Sequence, residues 1–126
     1  MRVLFICTGN AFRSPAAEAL TRKYRPELEV ESAGTKGASN IPDNVKKLLE
    51  EEGALQHVKS KPEVISQRAI DDADVIVVME EEHREHLMDN FTVEKDIMVW
   101  DIEDPIKPDV DPRRTFKQIK DKVGNL

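Results

Sequence analysis

The chain holds a single cysteine, Cys7, and an arginine, Arg13, stands six positions after it. Between them runs Thr8-Gly9-Asn10-Ala11-Phe12, and Ser14-Pro15 follows directly. A lone free cysteine is usually a small buried hydrophobe. Its setting here argues for chemistry. Val3-Leu4-Phe5-Ile6 before it reads as a strand buried on both faces, and Ser14-Pro15 after it as a helix start. A strand-to-helix loop can aim successive backbone N–H groups at one point, and the helix N-terminus adds positive potential. Gly9 permits close backbone approach, and Asn10 tolerates the left-handed conformation that such a nest needs. Arg13 adds a planar fork able to hold two oxygens of a tetrahedral anion. The implied chemistry is capture of a phosphate-like dianion over a cysteine whose ionised, nucleophilic form the same positive surroundings favour. Ser14 either donates a hydrogen bond to that thiolate or serves only as the helix cap.

A second chemical group lies late in the chain. Asp101, Glu103, Asp104, Asp109 and Asp111 cluster among Pro105, Pro108 and Pro112. Such a run can supply a general acid, lie as a solvated acidic loop, or hold a hard cation through oxygen ligands. The proline breaks and the lack of a glycine at the needed turn argue against the cation. His83 and His86 stand three apart on a charged helix and could share a face as metal ligands, but they read better as surface histidines. Glu80-Glu81-Glu82 reads as a solvated helix start that suits the helix dipole. No metal and no organic cofactor is expected.

The elements that position these residues follow from the apolar pattern. Leu28, Val30 and Ser32 alternate as a second strand that breaks at Ala33-Gly34. A helix from about Pro42 carries Val45, Leu48 and Leu49 inward and stops at Gly53. Pro62 opens a weaker helical stretch with Val64, Ile65, Ala69 and Ile70. Val75 to Met79 and Ile97 to Trp100 are further strands, separated by the charged helix Glu80 to Asp89, and a last helix spans about Pro112 to Val123. Strand alternating with helix predicts a single-domain α/β fold over residues 1–126, a four-stranded parallel sheet with helices on both faces. The anion-binding loop then follows the first strand, at the carboxyl edge where such sheets bind ligands.

Composition sets the remaining bounds. The 126 residues and net charge of −6 fit one acidic domain and oppose general nucleic-acid or anionic-membrane binding. One cysteine excludes an internal disulfide and a multi-cysteine zinc site. There is no long apolar run for a membrane span, and the opening residues are too short a run for a secretory signal, so a cytoplasmic location is expected.

Cys7-Thr8-Gly9-Asn10-Ala11-Phe12-Arg13-Ser14-Pro15, followed by Ala17-Glu18, resembles the low-molecular-weight protein tyrosine phosphatase family. Ser32-Ala33-Gly34-Thr35 resembles its second-strand motif and Glu103-Asp104-Pro105 its late general-acid motif. The resemblance implies that Cys7 is the nucleophile and Arg13 the phosphate clamp. It implies that the amides of Thr8, Gly9, Asn10, Ala11, Phe12 and Arg13 bind phosphate, and that Asn10, Ser14 and Ser32 brace the loop. Asp104 becomes the general acid and base, its backbone stiffened by Pro105, with Asp101 as the fallback. The implied partners are phosphorylated proteins carrying phosphotyrosine or phosphoarginine, with inorganic phosphate as product.

Departures from the family concern the walls around that chemistry. Phe12 stands where several eukaryotic members carry a second cysteine, and Ile106-Lys107 where they carry paired tyrosines. The stretch 35–40 lacks their pocket aromatic, and Ser60 falls where some members have a histidine bracing the loop. Ala11 is neither the bulky aliphatic of tyrosine-directed members nor the threonine of bacterial protein-arginine phosphatases. Three alternatives to a tyrosine phosphatase therefore stand: a protein-arginine phosphatase, an arsenate reductase using an external thiol, and a non-catalytic phosphate-binding module.

Overall fold

Val3 to Ile6 offer no polar side chain to water, and they run through the middle of the sheet. In the computed structural model, which describes Met1–Leu126, β1 (Arg2–Cys7) pairs in parallel with β2 (Glu29–Gly34) and with β3 (Val75–Val78). Strand β4 (Ile97–Val99) joins β3 and completes a four-stranded, all-parallel sheet of order β2-β1-β3-β4. Five helices connect and cover it: α1 (Arg13–Tyr24), α2 (Asp43–Glu51), α3 (Gln67–Asp72), α4 (Glu81–Asn90) and α5 (Pro112–Gly124).

Alternate residues of β1 feed two cores, which is why the strand is apolar throughout. Val3, Phe5 and Cys7 pack into the core that holds Leu20 of α1 and Phe116 and Ile119 of α5. Leu4 and Ile6 pack into the other, with Ile70 of α3 and Leu87 of α4. The Phe5 and Trp100 rings meet at a tilted 5.3 Å between centroids. On α2 the expected Val45, Leu48 and Leu49 are the buried positions.

One expected helix is shorter than its sequence pattern. The stretch from Pro62 is extended, and α3 begins only at Gln67, where the Ser66 hydroxyl accepts from the Ala69 N–H at 3.2 Å. Non-local pairing takes the backbone first: Gly34 N donates to Glu63 O at 2.8 Å, and Ile65 N to Gly34 O at 2.9 Å. Val64 consequently faces solvent. Helix α1 also begins two residues early, with Phe12 rather than Ser14 at the cap position and no side-chain cap.

At the carboxyl edge of the sheet Cys7 is in register with Gly34, and Val78 with Val99. The loops leaving these four positions build the site.

Candidate active site

The loop from Cys7 to Arg13 spends most of its carbonyls and keeps its N–H groups. Cys7 O, Thr8 O and Gly9 O accept from Thr35, Lys36 and Ala38 N at 3.0, 2.8 and 3.1 Å, and Phe12 O accepts from Ala16 N at 3.0 Å. The N–H groups from Thr8 to Phe12 have no acceptor within the protein. This is the arrangement of an anion nest. Asn10 takes the left-handed backbone, φ 53°. Gly34 lets the neighbouring strand end pass close: a Cβ there would lie 2.6 Å from Thr8 O and 2.9 Å from Asn10 N.

Buried side chains hold the loop from beneath. Asn10 Nδ2 donates to Ser14 Oγ at 2.8 Å and to Ser32 Oγ at 3.0 Å. Its Oδ1 accepts from Lys59 Nζ at 2.7 Å and Glu63 N at 2.9 Å, so the amide is fully used. Ser32 in turn donates to Glu18 Oε1 at 2.9 Å. Burial pushes the Glu18 carboxyl above its ordinary range, against the pull of Arg22. Ser14 Oγ lies 2.9 Å from Cys7 Sγ. Ser14 Oγ also lies 3.5 Å from Ala33 O, a longer contact, so the sulfur is the nearer partner for its hydrogen. Ser14 is therefore bonded to Cys7 rather than capping α1.

Arg13 is buried, and its Nη1 donates to Glu80 Oε1 at 2.8 Å and Ile102 O at 2.9 Å. Nη2 lies 3.6 Å from Asp104 Oδ2, while Asp104 Oδ1 accepts from Ile106 N at 3.1 Å. Cys7, Thr8, Ala11, Phe12, Arg13 and Asp104 line one groove of about 430 Å³, walled by Ala38, Pro42 and Ile106. Asp101 does not reach it. Its backbone turns at φ 56°, and its side chain lines a separate cleft with Glu103 and Asp109.

Four partners of the site were not read from the sequence. Lys59, not Ser60, braces Asn10, and Ser60 is exposed. Glu80 caps the start of α4, with Glu81 and Glu82 exposed in its first turn as expected, but its carboxylate also anchors Arg13. His83, expected at the surface, is buried, with Nε2 2.8 Å from Thr8 Oγ1 and Nδ1 accepting from Glu80 N at 3.0 Å. His86 lies instead against Phe91, ring centroids 6.3 Å apart. No three His, Cys, Asp or Glu side chains are grouped to hold a metal. Glu18, quoted in the motif, gains a place as the partner of Ser32. Only its position four residues before Arg22 was a signal in the sequence.

A strand, an anion nest closed by a buried arginine, and a cysteine at its root together define a phosphatase-type α/β fold. The family model for the low molecular weight phosphotyrosine protein phosphatase matches residues 2–126, and the chain belongs to that family. A protein-arginine-phosphatase of Bacillus subtilis (strain 168) is 29% identical over 143 residues, covering 100% of this chain and 91% of its own. The low molecular weight protein-tyrosine-phosphatase PtpB of Staphylococcus haemolyticus is 29% identical over 140 residues, covering 100% and 97%. Among solved structures, an arsenate reductase from Archaeoglobus fulgidus superimposes with a TM-score of 0.81 at 33% identity, over 98% of this chain and 97% of that one. No helix is long and apolar enough to cross a membrane.

Proposed function

We propose that the chain hydrolyses phosphomonoesters on protein side chains, phosphotyrosine first, through a phosphocysteine intermediate. The observation that carries this is the run of free N–H groups from Thr8 to Phe12, rooted at the Cys7 sulfur and ending at the buried Arg13 guanidinium. The Cys7 thiolate attacks phosphorus in line while the bond to the phenolic oxygen breaks. The amides from Thr8 to Arg13 and the Arg13 fork hold the three equatorial oxygens as charge builds on them. A phenolate leaves poorly because phenol has a pKa of about 10, so protonated Asp104 gives its proton to the leaving oxygen. Asp104 then takes a proton from the water that attacks phosphorus and breaks the P–S bond, releasing inorganic phosphate and the thiolate. Asn10, Ser14 and Ser32 keep the loop in shape, and no metal or organic cofactor enters.

The partner is thus a phosphorylated protein, and the net charge of −6 disfavours nucleic acid and anionic membrane. A nucleophilic thiol with no disulfide partner in the chain suits a reducing cytoplasm. The similarity to a protein-arginine-phosphatase along the whole chain favours phosphoarginine as the second substrate. Arsenate reduction, which the Archaeoglobus relative brings into view, would require an external thiol, since this chain has one cysteine. A mere phosphate-binding module would have no use for a carboxylate 3.6 Å from Arg13.

One preparation tested on an aryl phosphate, a phosphotyrosine peptide, phosphoarginine, and arsenate with added thiol separates these readings. Hydrolysis of the first three, fastest for the phosphotyrosine peptide, is expected. Phosphate binding without turnover would leave only the binding module.

A further inference from the structure

We propose that His83 is a positioning residue of the phosphate-binding loop, holding Thr8 directly and Arg13 through Glu80, a role that presupposes the phosphatase reading above. The geometry is a closed circuit. Glu80 N donates to His83 Nδ1 at 3.0 Å, so the ring proton sits on Nε2, and Nε2 donates to Thr8 Oγ1 at 2.8 Å. The Glu80 carboxylate accepts from Arg13 Nη1 at 2.8 Å. Thr8 opens the N–H run and Arg13 closes the loop, so α4 and its cap grip the loop at both ends. Thr8, accepting from His83, keeps its own O–H free to donate toward a bound oxygen.

Helix capping alone does not explain the ring. The cap is made by Nδ1, whereas Nε2 reaches 75 residues back in sequence to Thr8. A buried imidazole is costly unless its nitrogens are satisfied, and both are. The groups facing it are Arg13, Glu80, Asp104 and His86, with Glu82 Oε1 3.8 Å from Nε2. Burial, helped by Arg13 and opposed by Glu80 and Asp104, lowers the His83 pKa to about 4. The ring is neutral at working pH and acts as a fixed donor, not a proton carrier.

Three variants separate the two nitrogens. His83→Gln can place an amide N–H near Nε2, His83→Asn can place a carbonyl near Nδ1, and Thr8→Val removes the acceptor with little change of shape. Binding of inorganic phosphate, measured by calorimetry, should weaken about 3- to 10-fold in Thr8→Val and His83→Asn and recover in His83→Gln. The double variant Thr8→Val/His83→Asn should bind no worse than Thr8→Val alone. Recovery in His83→Asn but not His83→Gln would make the histidine a helix cap and overturn the proposal, as would additive losses. Nitrogen-15 spectra of the unaltered chain should show the Nε2-protonated ring, without titration between about pH 5 and 8. A proton on Nδ1 would equally overturn it. Unaltered protein that neither binds phosphate nor turns over an aryl phosphate would sink the phosphatase reading and this role with it. Normal binding with unresponsive variants would sink this role alone.

Discussion

Two loops face each other across the groove, and they are held in opposite ways. The loop from Cys7 to Arg13 is gripped from inside the protein, by Asn10, Ser14 and Ser32, all buried, and by the largely enclosed Lys59. The loop carrying Asp104 is tethered from outside, by α5. Arg114 Nε and Nη2 donate to the two carboxylate oxygens of Glu103 at 2.7 and 3.0 Å, with more than a third of both side chains exposed. Gln118 Nε2 adds a bond to Glu103 Oε2, and the Thr115 hydroxyl donates to Glu103 O. Buried networks cost much to break and are insensitive to salt, while exposed ion pairs are weak and screened. On the proposed roles, the anion-binding half is thus preorganised and the proton-transfer half is the adjustable one. Phosphate has one shape, whereas leaving groups differ.

The sharpest break in that comparison is at the nest itself. Cys7→Ser should abolish turnover while phosphate or vanadate still binds, because the N–H groups and Arg13 remain but a serine hydroxyl does not ionise there. Appreciable hydrolysis by pure variant protein would overturn the thiolate step. On the facing loop, Asp104→Ala should slow phosphotyrosine hydrolysis by about 10²–10⁴. That loss should shrink with more acidic aryl leaving groups, which depart without a proton. Equal losses across leaving groups would take Asp104 out of the acid role.

A smaller effect is expected between the two loops, at Ala11 in the groove lining. Alanine supplies neither the bulk that grips a flat phenol nor a hydroxyl that orients a guanidinium. Missing contacts of one or two methyl groups change discrimination by about 10- to 200-fold. Phosphotyrosine should therefore be preferred only modestly over phosphoarginine. Ala11→Ile should sharpen the preference and Ala11→Thr should move it toward arginine. An unchanged ratio of the two kcat/KM values in both variants would shift selection to Phe12, residues 35–40 or Ile106-Lys107.

The same contrast decides what could be read from the sequence. The two central strands were legible because a strand buried on both faces must be apolar at every position, as Val3 to Ile6 and Val75 to Val78 are. The loop was legible because Cys7, Gly9, Asn10 and Arg13 lie within seven residues and each is needed for a local reason. Its supports were not. Glu80, His83 and Lys59 lie 67, 75 and 49 residues from their partners, and in sequence they look like ordinary charged or polar surface. The helix expected from Pro62 failed for a related cause. Its local pattern was sound, but pairing with Gly34, some thirty positions earlier, claimed the backbone.

The smallest effect tests the tether from α5. Removing the Arg114 side chain leaves Asp104 and the nest intact and loosens only Glu103, the residue before the acid. If the tether places the acid, Arg114→Ala should slow hydrolysis of esters with poor leaving groups by about 2- to 5-fold, the scale of an exposed ion pair. Esters with acidic leaving groups, which do not need the proton, should be hydrolysed at the unaltered rate. Binding of inorganic phosphate, a property of the buried half, should also be unaffected. Because both side chains are exposed, added salt should slow the unaltered enzyme toward the variant as screening shortens to about 3 Å near 1 M. A loss equal for all leaving groups, or one that salt leaves untouched, would mean that Arg114 acts on the fold as a whole and that the two loops are not held independently.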